Sequence, residues 1–173
     1  MRAARRTFVL AAISAAAMGF GGVQAADYPS KPIKLIVPFT AGSGTDIIAR
    51  VISAGLQDSL KTSVVVENLP GASGQIAASA AAKAKPDGYT IFFTTNTTQA
   101  ANVSLFKSLP YDPIKDFAPI TLISETPFLL LVRRDMPVKD VKELVAWLKA
   151  NPAQASYGYG NSTGQVSGAA VMK

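Results

Sequence analysis

Lys34-Leu35-Ile36-Val37-Pro38-Phe39 runs directly into Thr40-Ala41-Gly42-Ser43-Gly44-Thr45-Asp46, and then Ile48, Ile52, Leu56 and Leu60 recur at every fourth position. A short apolar run of this kind is a buried strand, and a four-residue recurrence is an amphipathic helix, here with Ile47 and Val51 beside the stripe. Thr45 or Asp46 fits the helix N-cap. The same unit returns as strand Val64-Val65-Val66-Glu67, loop Asn68-Leu69-Pro70-Gly71-Ala72-Ser73-Gly74 and an Ala-rich helix from Gln75 to about Lys83, closed by Pro86-Asp87-Gly88. A third copy reads Ser156-Tyr157-Gly158-Tyr159 as strand, Gly160-Asn161-Ser162-Thr163-Gly164 as loop, and Gln165 as the start of a helix. Strands alternating with helices predict an α/β fold with a largely parallel sheet.

Between the second and third units, Tyr89 to Thr95 reads as a strand opening onto the polar loop Asn96-Thr97-Thr98-Gln99. Leu109-Pro110-Tyr111-Asp112-Pro113 is rich in turn residues, and Phe117 to Arg134 favours β-structure apart from Ser124-Glu125-Thr126-Pro127. Asp140-Val141-Lys142-Glu143 has the spacing of a capping box, and the helix it begins should end at Asn151-Pro152.

The glycine-rich loops carry the functional argument. A helix start leaves about four backbone N–H groups unpaired and holds roughly half a positive charge. Glycines admit an anion close to the backbone, and Ser or Thr hydroxyls add donors. In open α/β sheets such loops gather at the carboxyl edge of the strands. Three of them suit a ligand bearing carboxylates. No loop matches G-x-x-x-x-G-K-[ST], nor G-x-G-x-x-G with an acid ~20 residues on, so nucleotide phosphates are disfavoured.

Composition narrows the chemistry further. The chain has 173 residues and neither His nor Cys, which excludes a Ser-His-Asp triad, a cysteine nucleophile, a zinc cluster or a disulfide. No catalytic residue, metal or cofactor is expected. The net charge is +6, but Arg2, Arg5 and Arg6 stand in a 25-residue leader without acids, leaving +3 over the remainder. That dispersed excess is no footprint for nucleic acid. Met1 to Ala25 has a basic start, an apolar run from Phe8 to Phe20 and the small-residue signal Val23-Gln24-Ala25, the layout of a secretory signal peptide. Its apolar run is shorter than the roughly 20 residues that span a bilayer. Arg5-Arg6-Thr7-Phe8 also partly fits a twin-arginine signal, so the export route stays open. Cleavage near Ala25 would leave a periplasmic chain of 148 residues.

Several stretches together resemble the periplasmic substrate-binding proteins of tripartite tricarboxylate transporters, the Bug family. They are Tyr28-Pro29-Ser30-Lys31-Pro32-Ile33, Val37 to Asp46 with Ala49-Arg50, and Val66 to Gly74. Further along come Lys85-Pro86-Asp87-Gly88-Tyr89-Thr90, Tyr111-Asp112-Pro113, Asp116 to Ile120, Val138 to Pro152, and Tyr157-Gly158. The resemblance implies a two-lobed, type II-like clamshell that closes on a small carboxylate: a di- or tricarboxylate, an acidic amino acid or an aromatic acid. Carried over by position, Phe39, Ala41, Gly42, Ser43, Thr45 and Asp46 form the first grip, joined by Asn96 and Thr97. Tyr159, Gly160, Asn161, Ser162 and Thr163 answer from the second lobe. Asp46 has two readings, a group that orients loop or water and a helix cap, because like charges repel. Asn68 and Gly71 read as loop architecture, and Phe39 and Tyr159 either stack on an aromatic acid or wall the cleft.

The sequence departs from the family at Ser43, where a second glycine is usual. It departs again at Ser162, where glycine is common, and at Val166, where His is frequent. By the resemblance, residues 26–124 form the first lobe and 125–173 an incomplete, truncated second lobe, since family members run to about twice a 150-residue domain. A truncated lobe should expose Leu129-Leu130-Leu131 and Trp147 and weaken both folding and binding. The partners implied are the carboxylate and the membrane permease subunits, with the protein itself a monomer. Two other readings are an exported α/β hydrolase using Ser43 or Ser162, which lacks a G-x-S-x-G elbow and a His base, and a ligand-sensing partner of a signalling receptor.

Overall fold

A computed structural model describes residues 27–171, so the predicted signal peptide lies outside the described residues. A compact unit begins at Lys31. Its centre is a three-stranded parallel sheet of β1 (Ile33–Val37), β2 (Val64–Asn68) and β3 (Thr90–Phe92), in the order β2-β1-β3. β1 pairs Ile33 with Val64 and Val37 with Asn68 on one side, and Lys34 with Thr90 on the other. As the middle strand it is buried at every position except Lys34, which explains its unbroken apolar run. Parallel neighbours need a crossover. Helix α1 (Gly44–Leu60) supplies it between β1 and β2, and α2 (Gln75–Ala82) between β2 and β3.

The core joins Ile33, Leu35, Val37, Ala49 and Val64, with Leu56, Leu60, Val66, Ile91 and Phe93 packed against them. Within α1 the innermost residues are Asp46, Ala49 and Ser53, while Ile47 and Val51 face outward. Small side chains let the helix approach the sheet, and the Ser53 hydroxyl donates to the Val64 carbonyl at 2.8 Å. The N-cap of α1 is Ser43, not Thr45 or Asp46: its Oγ accepts the Asp46 N–H at 3.2 Å. On α2, Ala77 and Ala78 are fully buried, as close helix–sheet packing requires.

Asn96 to Gln99 is not an open polar loop. A π-helical turn, Thr97–Ala101, leads into the short helix α3 (Asn102–Leu105), and Thr97, Thr98 and Asn102 are completely buried. Helix α4 (Val141–Ala150) starts as expected: Asp140 accepts the Glu143 N–H at 2.8 Å, and Glu143 reaches back to the Lys139 N–H at 2.7 Å. It stops at Asn151, before the 3-10 turn Pro152–Gln154.

Two strand expectations fail. Neither Phe117 to Arg134 nor Ser156 to Tyr159 forms a strand: a β-ladder needs a paired neighbour, and neither stretch pairs with the sheet. Leu129 and Leu131 are 77% and 81% exposed, whereas Trp147 is half-buried. The last helix, α5 (Ser162–Val171), begins three residues before the expected Gln165.

Candidate functional site

At the carboxyl ends of β1 and β2 lies a cavity of about 340 Å³, within the range of small-molecule sites. The first loop lines it with Pro38, Phe39, Thr40 and Ser43, and the second with Pro70, Gly71, Ser73 and Gly74. Tyr159, Gly160 and Asn161 complete the wall. Ser43 caps α1 and Gly74 caps α2. Asn161 caps α5, its Oδ1 accepting the Gly164 N–H at 2.9 Å. Three helix starts therefore meet at one hollow, so their partial positive charges reinforce each other there. None of the eleven lining residues is charged. A second hollow, about 390 Å³, is walled mainly by apolar groups, Leu105, Val166, Ala169 and Ala170, with Gln165 and Tyr157, whose hydroxyl already donates to the Gln165 carbonyl, and is poorly built for an anion.

Of the residues singled out in the sequence, Phe39, Ser43, Tyr159, Gly160 and Asn161 border the cavity, whereas Ala41, Gly42, Thr45 and Asp46 do not. Asn96, Thr97 and Thr163 meet one another instead, and Ser162 turns to Asn102. Thr163 Oγ1 donates to Asn96 Oδ1 at 3.1 Å and lies 3.5 Å from Thr97 Oγ1, and Ser162 Oγ donates to Asn102 Oδ1 at 2.9 Å. The second loop, one of the three picked out by pattern, lines the cavity with Pro70, Gly71, Ser73 and Gly74, although the sequence named none of its residues as part of the grip and read Gly71 as architecture. Its signal was present, since it repeats the strand–loop–helix unit of the first.

The first loop is held by Asp46, which is 2% exposed. Its Oδ2 accepts the Gly42 N–H at 2.8 Å and the Arg50 Nε–H at 3.0 Å, and its Oδ1 accepts from Asn68 Nδ2 at 2.9 Å. Asn68 Nδ2 also lies 3.0 Å from the Phe39 carbonyl, tying the end of β2 to the first loop. Asp46 thus serves the loop from within. Its pKa is lowered to about 2, first by Arg50, then by the Gly42 amide and Asn68. A carboxylate lowered in the folded state stabilises it above the ordinary carboxylate range, and that stabilisation is lost as pH falls through about 2. Between about pH 4 and pH 2, the melting temperature of the unmodified chain should therefore fall more steeply than that of Asp46→Asn. Parallel acid profiles for the two proteins would refute the assignment.

The second loop is strained. Gly71, Ala72, Ser73 and Gly74 all have positive φ, at 121°, 46°, 52° and 81°. Glycine adopts this region freely, but Ala72 and Ser73 pay about 1–3 kcal/mol each, which persists only where the surroundings enforce it. Such runs collect at binding sites.

Comparison with known proteins shows the family. The family model described as tripartite tricarboxylate transporter family receptor matches residues 48–173. A UPF0065 protein of Bordetella pertussis is 38% identical over 157 residues, covering 90% of this chain and 48% of the relative. The chain spans about half the length of the curated relatives it matches. Among solved structures, a Rhodopseudomonas palustris protein with adipate is 38% identical with a TM-score of 0.73, covering 80% of this chain and 46% of that one. MatC from the same organism, with bound malate, is 39% identical at a TM-score of 0.67, covering 72% and 42%. The periplasmic binding protein BugD is 37% identical at a TM-score of 0.62, covering 72% and 41%. Among the described residues no helix is long and apolar enough to cross a membrane. The family this chain matches is one of binding receptors rather than enzymes. With α/β architecture, a parallel sheet and a family match over most of its length, the chain belongs to the tripartite tricarboxylate transporter receptor family.

Proposed function

We propose that this chain is the ligand-gripping portion of a periplasmic receptor that captures a small carboxylate for a tripartite tricarboxylate-type transporter. One observation carries the reading: three helix starts border a single cavity whose lining holds hydroxyls, amides and backbone but no acid. Donors of fixed direction around a hollow that repels no anion are what a carboxylate requires. In this reading residues 26–124 build the first lobe of a clamshell and residues 125–173 contribute to the second. Segment 1–25 directs export, and membrane permease subunits receive the ligand from a monomeric receptor. Phe39 and Tyr159 wall the cavity, while Thr40, Ser43, Ser73 and Asn161 supply polar contacts.

The malate and adipate bound by relatives are the first ligands to test. Each should raise the melting temperature of the full chain, with stabilisation of about 2.7 kcal/mol at a hundredfold excess over Kd. Adipamide and 1,6-hexanediol, which match adipate in length without its charge, should not. Equal shifts from acid and amide, or none from a wider carboxylate panel, would refute anion capture. Appearance of a product would refute a binding role in favour of turnover.

A further inference from the structure

One buried side chain ties the second loop to the start of the last helix. Asn102 is fully buried at the start of α3. Its Nδ2 donates to the Ser73 carbonyl at 3.0 Å and lies 3.3 Å from the Tyr111 hydroxyl, and its Oδ1 accepts the Ser162 hydroxyl at 2.9 Å. Tyr111 is itself fixed, donating to the Thr98 carbonyl at 2.6 Å. Ser73 stands in the strained second loop, and Ser162 opens α5 next to the cavity residue Asn161. One carboxamide thus joins segments 29 residues before it and 60 after it. Holding a carbonyl and a hydroxyl together takes a donor and an acceptor on a single short side chain, which a carboxylate or an aliphatic group of that size cannot provide.

We infer that Asn102 is a positioning residue for the cavity. It holds the Gly71–Gly74 turn against the start of α5 and so sets the spacing between the walls that a ligand must bridge. The inference rests on the carboxylate-capturing reading for its effect on affinity, but the coupling itself can be measured without ligand.

The test uses Asn102→Asp and Asn102→Ala in the full chain, with calorimetric titration of malate and adipate at pH 7 and pH 5 beside the unmodified protein. Asn102→Asp loses the donor to Ser73 at pH 7 and regains one when the buried carboxyl takes a proton. No charged side chain is among its hydrogen-bonding partners, and Tyr111, whose pKa burial raises, stays neutral throughout. Its affinity relative to the unmodified protein should be about tenfold weaker at pH 7 and recover toward parity at pH 5. Asn102→Ala should be as weak at both. Hydrogen exchange at pH 7 should quicken together in residues 71–76 and 160–165 of either variant. Affinities equal to the unmodified protein, identical losses at both pH values in the two variants, or faster exchange confined to residues near 102 would overturn the proposal. If the unmodified chain binds neither acid, the functional reading is at fault and the exchange result alone decides this one. Should both Asn102 variants fail to fold, Ser162→Ala replaces them. Faster exchange at 71–76 in that variant supports coupling through Asn102, and unchanged exchange there refutes it.

Discussion

Ser43→Asp is expected to abolish carboxylate binding while leaving the fold as stable as before. Ser43 has two roles that substitution can separate, capping α1 and bordering the cavity. Oγ accepts the Asp46 N–H at 3.2 Å and so caps α1, while the residue borders the cavity and its hydroxyl proton is available to a ligand oxygen. Asp is as good an N-cap as Ser, and its charge suits the positive end of the helix. Arg50 already engages Asp46, which limits repulsion between the two acids one turn apart. In the cavity, however, the new carboxylate stands where a ligand carboxylate must approach. Two like charges about 4 Å apart repel by about 4 kcal/mol at an effective dielectric near 20, enough to weaken binding by more than a hundredfold. Ser43→Asn keeps the cap without the charge and should lose far less affinity. Calorimetric titration with malate and adipate, paired with thermal melts, checks both halves. Undiminished binding by Ser43→Asp would place the ligand elsewhere.

The contrast between the first and third units shows what was legible in the sequence. β1, its loop and α1 were readable because each depends on local pattern: an apolar run, glycines, then a four-residue recurrence. The third unit has the same local pattern, and its loop does reach the cavity through Tyr159, Gly160 and Asn161. Its strand fails, since pairing depends on a neighbour that local pattern does not reveal. Asn96 to Gln99 failed in the opposite direction. Thr97 and Thr98 belong to the stretch read as polar loop, yet they are buried: Thr97 Oγ1 lies 3.5 Å from Thr163 Oγ1, and Thr98 Oγ1 donates to the Thr95 carbonyl at 3.3 Å while its own carbonyl accepts the Tyr111 hydroxyl at 2.6 Å. Asp46, read from the resemblance as part of the grip, lies beneath the loop, where burial is compensated by three donors. Long-range polar satisfaction leaves no periodic trace in a sequence, which is why the site's supports were harder to read than its rim.

Gly74→Ala and Gly55→Ala should shift stability in opposite directions. Both replace a hydrogen with a methyl group, so unfolded-state entropy favours the substitution equally at each. Gly55 lies inside α1 with nothing within 4 Å of a new Cβ, and alanine there should stabilise by about 0.5–1 kcal/mol. Gly74 has φ of +81°, and a Cβ on it would meet Thr98 Cγ2 at 2.6 Å and Pro38 Cβ at 3.1 Å. Thr98 is fully buried and Pro38 is a rigid ring on the first loop, so neither yields easily. The left-handed backbone costs an alanine about 1–2 kcal/mol and overpacking about 1–3 kcal/mol more, outweighing the entropic gain. At roughly 2–4 °C per kcal/mol for a chain of this size, Gly74→Ala should melt about 5–15 °C lower, with Gly55→Ala slightly above the unmodified protein. Because Gly74 and Pro38 both line the cavity and a methyl group on Gly74 would press against Pro38, the same variant should also bind malate and adipate more weakly, whereas Gly55→Ala should not. Equal melting shifts at the two positions would mean that the second loop does not hold its left-handed turn in solution, and the close approach of Gly74 to Pro38 and Thr98 would fall with it.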